Sequence, residues 1–176
     1  MAQSTLKKFG EGIVKREIRY FFMDIFTMSE SDIEQVKQIE KECRTGPWSL
    51  LDYKNEIGRE DGLAFVIKEQ NRVVGFILAR LITKDSTNTD TEIEIYNIAI
   101  KPIFQNQGFG EKLINQIIIY TANLHSRSIW LEVRESNLKA IKFYKKNGFT
   151  EIFTRRNFYS NPSEDGILMK KSVKDF

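Results

Sequence analysis

The run Thr91–Ile100 breaks the rule that a regular β-strand keeps. Apolar residues stand at odd positions in Ile93 and Ile95, then at even positions in Ile98 and Ile100, so the two-residue period slips by one near Asn97. Side chains alternate between the two faces of a sheet, and a regular strand cannot bury both sets on one face. A bulge or a splay of the strand resolves the conflict, and either one frees main-chain N–H and C=O groups for a ligand. The loop Gln105-Asn106-Gln107-Gly108-Phe109-Gly110 follows. It leads into a helical stripe over Leu113, Ile114, Ile117, Ile118, Thr121 and Leu124, which predicts a helix from Gly108 to about Ser126. The returning strand alternates Ile129, Leu131 and Val133 with Trp130, Glu132 and Arg134. These parts form a β-α-β unit, whose crossover sets the loop at the helix N-terminus, beside the carboxyl end of the slipped strand.

The flanking sequence supplies more strands and helices. Arg19-Tyr20-Phe21-Phe22 reads as a first strand, and Ile33, Val36, Ile39 and Cys43 mark a helical face with a capping box at Ser31 and Glu34. Gly46-Pro47 ends that helix, and Ser49 with Asp52 caps a short second one through about Ile57. Leu63–Lys68 and Arg72–Thr83 pair as a hairpin turning at Gln70-Asn71, and Lys84–Asp90 is a polar loop. Asn137 caps a helix carrying Ala140, Ile141 and Tyr144, which Asn147-Gly148 stops. Phe149–Tyr159 and Ile167–Lys171 close the chain as a long hairpin.

Composition narrows the function classes. The chain has 176 residues, enough for one domain with its own core. No stretch approaches the ~20 apolar residues that a membrane helix needs. A single Cys43 excludes an intrachain disulfide, and with one histidine it leaves too few soft ligands for zinc. The expectation is a metal-free cytoplasmic protein. A formal charge of +3, with no long block of like charge, gives no argument for direct nucleic-acid or membrane binding. Residues 1–20 carry five basic side chains interrupted by Glu11 and Glu17, without the features of a secretory signal, and read as a basic extension or a lead-in to the first strand.

A helix N-terminus presents unpaired N–H groups and about half a positive charge, and Gly108 and Gly110 allow close approach, so the loop is a candidate anion site. A plain turn with glycine at a helix start explains the loop equally well. The pattern matches neither the dinucleotide nor the nucleoside-triphosphate fingerprint. Glu132, a carboxylate at the carboxyl end of a strand, is a candidate general base. Tyr144 is either a candidate acid or a core tyrosine with its hydroxyl at the surface. His125 reads as a surface or capping residue and Cys43 as core.

The loop after a splayed strand resembles the [QR]-x-x-G-x-[GA] element with which the GNAT superfamily binds the pyrophosphate of acetyl-CoA. The series Leu131-Glu132-Val133-Arg134-Glu135-Ser136-Asn137, then Ala140-Ile141, Phe143-Tyr144 and Gly148-Phe149, is similar to the ribosomal-protein-alanine N-acetyltransferase family. Pro47-Trp48-Ser49 and Arg155-Arg156-Asn157-Phe158-Tyr159 match it too, and the similarity spans roughly residues 23–170.

The resemblance implies a single α/β domain of mixed α+β type over residues 21–176. Its central, mostly antiparallel twisted sheet would have about seven strands, the fourth splayed, with about four helices. It implies direct acetyl transfer from acetyl-CoA to a protein or peptide N-terminus, a ribosomal one with N-terminal alanine, by a monomer or weak dimer without a metal. Glu132 would be the base and Tyr144 the acid. Ile98, Ala99 and Ile100 would pair through their backbone with the pantetheine arm. Gln105, Asn106, Gln107, Gly108, Phe109, Gly110 and Glu111 would hold the pyrophosphate, Asn137 would contact the cofactor, and Tyr159 would face the acceptor. The family often has a basic residue where Asn106 and Glu111 stand, which shifts the expected phosphate contact toward backbone N–H groups. A lysine side chain or small amine as acceptor, and a domain that binds CoA without turnover, remain open. The acidic stretch Asp52, Glu56, Glu60 and Asp61 either attracts a basic peptide or is a solvated helix face.

Overall fold

The computed structural model describes residues 23–46, 48–83, 91–123 and 128–173. Seven strands form one sheet in the order β1-β2-β3-β4-β5-β7-β6. They are β1 (Met23–Thr27), β2 (Gly62–Glu69), β3 (Arg72–Thr83), β4 (Thr91–Ile100), β5 (Ser128–Arg134), β6 (Thr150–Ser160) and β7 (Ser163–Ser172). All neighbours are antiparallel except β4 and β5, which lie parallel because α3 (Phe109–Asn123) carries the chain between them. The other helices are α1 (Ile33–Cys43), α2 (Leu50–Ile57) and α4 (Leu138–Lys146).

The sheet separates two apolar layers. On one side α1 and α2 bury Val36, Ile39 and Tyr53 against Val66, Phe76 and Leu78. On the other, Leu113, Ile114 and Ile117 of α3 and Ile141 and Tyr144 of α4 pack on Ile93, Ile95, Leu131 and Val133. Each fully buried aliphatic side chain contributes about 1.5–3 kcal/mol, so the α3 stripe alone anchors the crossover firmly.

Local chemistry sets the boundaries. The β2–β3 turn needs two left-handed residues and has them in Gln70 and Asn71, at φ 47° and 67°. Ser49 accepts from the Asp52 N–H while the Asp52 carboxylate accepts from the Ser49 N–H, closing the predicted capping box of α2. The box before α1 lies two residues earlier than Ser31 and Glu34, at Ser29 and Asp32. Asp32 accepts from the Ser29 N–H at 3.0 Å, because a 3-10 turn over Glu30–Asp32 precedes the helix and moves the first free donors back. The run Arg19–Phe22, the extension, Pro47, the loop 84–90, Leu124 and His125 lie outside the described residues; β1 begins at Met23. β7 starts at Ser163 rather than Ile167, since the hairpin turns at once through Asn161 and Pro162.

Candidate active site

The phase slip of β4 is a bulge at Tyr96. Leu78 of β3 faces Asn97 while the next residue, Ala79, faces Ile95, and Tyr96 has no partner in the register. With one residue extruded, Ile93, Ile95, Ile98 and Ile100 all reach the α3–α4 layer, which the alternation of an unbroken strand forbids. The bulge rests on a buried polar cluster. Glu40 of α1 accepts from the Asn97 side-chain amide and the Trp48 N–H, each at 3.2 Å. Burial raises the Glu40 carboxyl above its ordinary value, against the lowering effect of these hydrogen bonds, and the Tyr53 hydroxyl faces it outside hydrogen-bond geometry.

Beyond the bulge the sheet opens. β4 and β5 pair only from Glu92 with Ser128 to Ile95 with Leu131. The Lys101 N–H donates to Val74 O at 2.8 Å, which makes Gly75–Ile100 a non-hydrogen-bonded pair and Phe76–Ala99 a hydrogen-bonded one. Main-chain groups of Ile98 and Ile100 therefore point away from β3 into the gap, whereas those of Ala99 are spent on Phe76. The Ile100 carbonyl is partly used, accepting from Gln105 Nε2 at 2.8 Å and from Cys43 Sγ at 3.2 Å. Cys43 is half-buried, packed against the α1–α2 layer on one side and lining the rim of the gap on the other, because α1 ends beside β4.

A cleft of about 610 Å³ runs from this gap between the loop and α4. Ile98, Ala99, Ile100, Gln105, Asn106, Gly108, Phe109, Gly110, Glu111 and Asn137 line it, with Tyr144. Gln107 does not line it, and its amide ties back to Ile103 O. Asn106 and Gly108 adopt φ of 59° and 83°, turning the chain so that α3 begins at the cleft. A Cβ on Gly110 would lie 2.9 Å from Phe143 Cζ of α4, so glycine there lets helix and loop close together. Among the described residues the N–H groups of Gly108, Gly110 and Glu111 have no main-chain acceptor, and the buried Thr45 hydroxyl, also lining the cleft, has no partner. Unpaired donors around a cradle and an orphaned hydroxyl fit a polar, phosphate-bearing ligand. The Asn137 side chain is half committed, since its Oδ1 accepts from the Ala140 N–H at 3.1 Å.

Tyr144 projects from α4 into this cleft. Its hydroxyl makes no hydrogen bond among the described residues, and burial, with a smaller contribution from Tyr159, pushes it well above the ordinary tyrosine value of 10.0. Glu132 lies on the opposite face of β5, shared with Trp130 and Arg134, at 16% side-chain exposure. Tyr159 links the two: its hydroxyl is raised first by burial and then by the Glu132 charge.

Two arginines that the sequence offered only as part of a family pattern order this region. Arg155 pairs with Glu132 and lies 4.1 Å over the Phe158 ring; Arg134 lies 4.1 Å over the Tyr159 ring and pairs with Glu164. Nothing in the sequence marks those contacts, because they cross between strands. The acidic stretch is largely consumed by the fold: Asp52 caps α2, Asp61 pairs with Arg59, and Glu56, 1% exposed, holds Arg80.

A mixed sheet whose one parallel pair splays beside a glycine loop and helix N-terminus defines an acyltransferase architecture. The profile of the acetyltransferase (GNAT) family matches residues 33–149, and the chain belongs to that family. It is 34% identical over 151 residues to the ribosomal protein bS18-alanine N-acetyltransferase of Haemophilus influenzae, covering 84% of this chain and 97% of that one. The crystal structure of the ribosomal-protein-S18-alanine N-acetyltransferase from Escherichia coli superposes with a TM-score of 0.75 at 28% identity, covering 88% of this chain and 96% of that one. Ard1 from Thermoplasma volcanium gives 0.76, also at 28% identity, covering 88% and 99%. Seven strands, four α-helices and the splayed fourth strand agree with the architecture expected from the sequence.

Proposed function

We propose that this acyltransferase moves the acetyl group of acetyl-CoA directly to the N-terminal α-amine of a protein, a ribosomal protein beginning with alanine. The observation that carries this is the end of β4–β5 pairing at Ile95–Leu131, one residue before Glu132, beside a cleft that Tyr144 lines. Relatives in the family that match most of this chain bear the name of that activity.

Acetyl-CoA supplies a thioester carbonyl. The chain's own groups do the rest. An α-amine with a pKa near ~8 is mostly protonated at neutral pH and attacks only as the neutral base, so Glu132 takes its proton, directly or through water. The N–H groups of Ile98 and Ile100 face the gap and can stabilise the developing oxyanion. Tyr144, held protonated by burial, donates its proton to the departing thiolate. The N–H groups of Asn106, Gly108, Gly110 and Glu111 hold the pyrophosphate, while Gln105 braces the loop by bonding Ile100 O. Tyr159 offers its hydroxyl to the acceptor peptide.

The test is release of free thiol from acetyl-CoA with peptides that differ in their first residue. Turnover of an alanine-initiated peptide, abolished when its N-terminus is blocked, is the expected result. Turnover of lysine side chains or small amines alone would overturn the acceptor. Binding of CoA without any turnover would overturn the transfer itself.

A further inference from the structure

The loop that enters α3 offers no side-chain cation, since Asn106 and Glu111 flank its glycines. The charge stands on the opposite wall. Lys139, Lys142 and Lys146 of α4 recur at intervals of three and four, which places them on one helical face, and all three line the cleft. Lys145, one position away, turns outward to pair with Glu151 at 2.8 Å. The lysine face is therefore a selected one and not a generally basic helix.

Two contacts fix that face against the loop. Lys139 Nζ donates to Gln105 Oε1 at 2.5 Å, and the Phe143 ring closes on Gly110. Lys139 is thus occupied in holding the loop. Lys142 and Lys146 have no hydrogen-bond or ion-pair partner among the described residues, although they share the cleft with unpaired main-chain N–H donors. They stand about 4.5 and 10.5 Å along the helix axis from Lys139, on either side of Phe143, whose ring closes on Gly110.

This division of labour suits a donor with two kinds of phosphate. A diphosphate bridge carries one charge on each phosphate and is well matched by convergent N–H groups at a helix start. A phosphomonoester carries nearly two charges at neutral pH and calls for cations. Resting on the acetyl-CoA reading above, we infer that Lys142 and Lys146 bind the 3′-phosphate of the CoA ribose. The enzyme then selects the 3′-phosphorylated donor over dephospho-CoA through α4, not through its loop.

Titration calorimetry of the full chain with CoA and with dephospho-CoA tests this without turnover. Wild type is expected to favour CoA by about tenfold or more, with the ratio shrinking as salt rises. Lys142→Gln/Lys146→Gln should bring the ratio close to one by weakening CoA binding, with the dephospho-CoA affinity within about twofold of wild type. Lys142→Arg/Lys146→Arg should preserve the ratio, and Lys145→Gln, on the other face, should leave it unchanged. Equal wild-type affinity for the two ligands, or a ratio that survives the double glutamine change, overturns the inference while leaving the donor reading intact. Failure of wild type to bind either ligand overturns the donor reading as well.

Discussion

Glu132 on β5 and Arg155 on β6 form an ion pair that reaches across β7, with Arg155 Nη1 2.5 Å from Glu132 Oε1. The proposed base is thereby held in one orientation before any acceptor arrives, and an incoming amine must share or displace that guanidinium. Arg155 is 49% exposed, so the pair adds little to stability, under about 1 kcal/mol. Arg155→Gln should leave the melting temperature nearly unchanged and lower kcat/KM for the acceptor peptide by roughly tenfold, since positioning of a reacting group is worth at least that much. An unchanged or faster rate would show that Arg155 has no positioning role.

Glu132→Gln and Tyr144→Phe should each slow transfer by roughly 10²-fold or more, the usual contribution of a positioned acid or base. Donor affinity, read by calorimetry, should stay near wild type in both. Because burial holds the Tyr144 hydroxyl above 10.0, it remains protonated through neutral and mildly alkaline pH. The wild-type rate should therefore show no loss attributable to Tyr144 below about pH 9. Wild-type rates in both variants would remove the assigned roles.

Glu40 predicts a pH-dependent stability. Its carboxyl is raised above 4.5 in the folded chain, chiefly by burial, so the folded state holds the proton more tightly than the unfolded state does. That favours folding while Glu40 is protonated, below the unfolded value, and the contribution is lost as pH rises through the raised value. Glu40→Gln keeps an acceptor oxygen for Trp48 and Asn97 and cannot ionise. Its stability relative to wild type, from denaturant unfolding, should therefore climb as pH rises from the ordinary carboxylate range through the raised value. Glu40→Ala leaves both donors unmet and should cost roughly 1–3 kcal/mol.

Gly110→Ala introduces a methyl group 2.9 Å from the Phe143 ring. The helix must back away from the loop, at a cost of about 1–3 kcal/mol and with weaker CoA binding. Gly110→Ala/Phe143→Leu should recover most of both losses, whereas Phe143→Leu alone should only loosen the contact. If the double variant binds no better than Gly110→Ala, the close approach is not what the glycine serves.

How far the sequence could be read differs from element to element. The slip between Ile95 and Ile98 announced an irregular strand to within one residue, because burial of apolar side chains is periodic and the error in period is local. The α2 capping box and the Gln70-Asn71 turn were equally legible, both being short-range chemistry. The box at Ser31 and Glu34 was misplaced because a 3-10 turn competes with the α-helix for the same few donors. The acidic stretch admits both a peptide-attracting and a solvated reading in the sequence, because its partner Arg80, which holds the buried Glu56, stands 24 residues away.

By itself the sequence determined the order of strands and helices, the bulged strand, the glycine loop and the placement of Glu132 and Tyr144 on their elements. Periodicity, caps and turns act over a few residues, so they are written in consecutive positions. Only the tertiary structure decided that Ile98 and Ile100, and not Ala99, face the gap, that Arg155 neutralises Glu132, and that three lysines of α4 stand where the loop has no charge. Those outcomes depend on which neighbouring strand takes a given hydrogen bond and which helix face meets which loop. Such pairings join residues distant along the chain, and their geometry exists only once the sheet has closed on both layers.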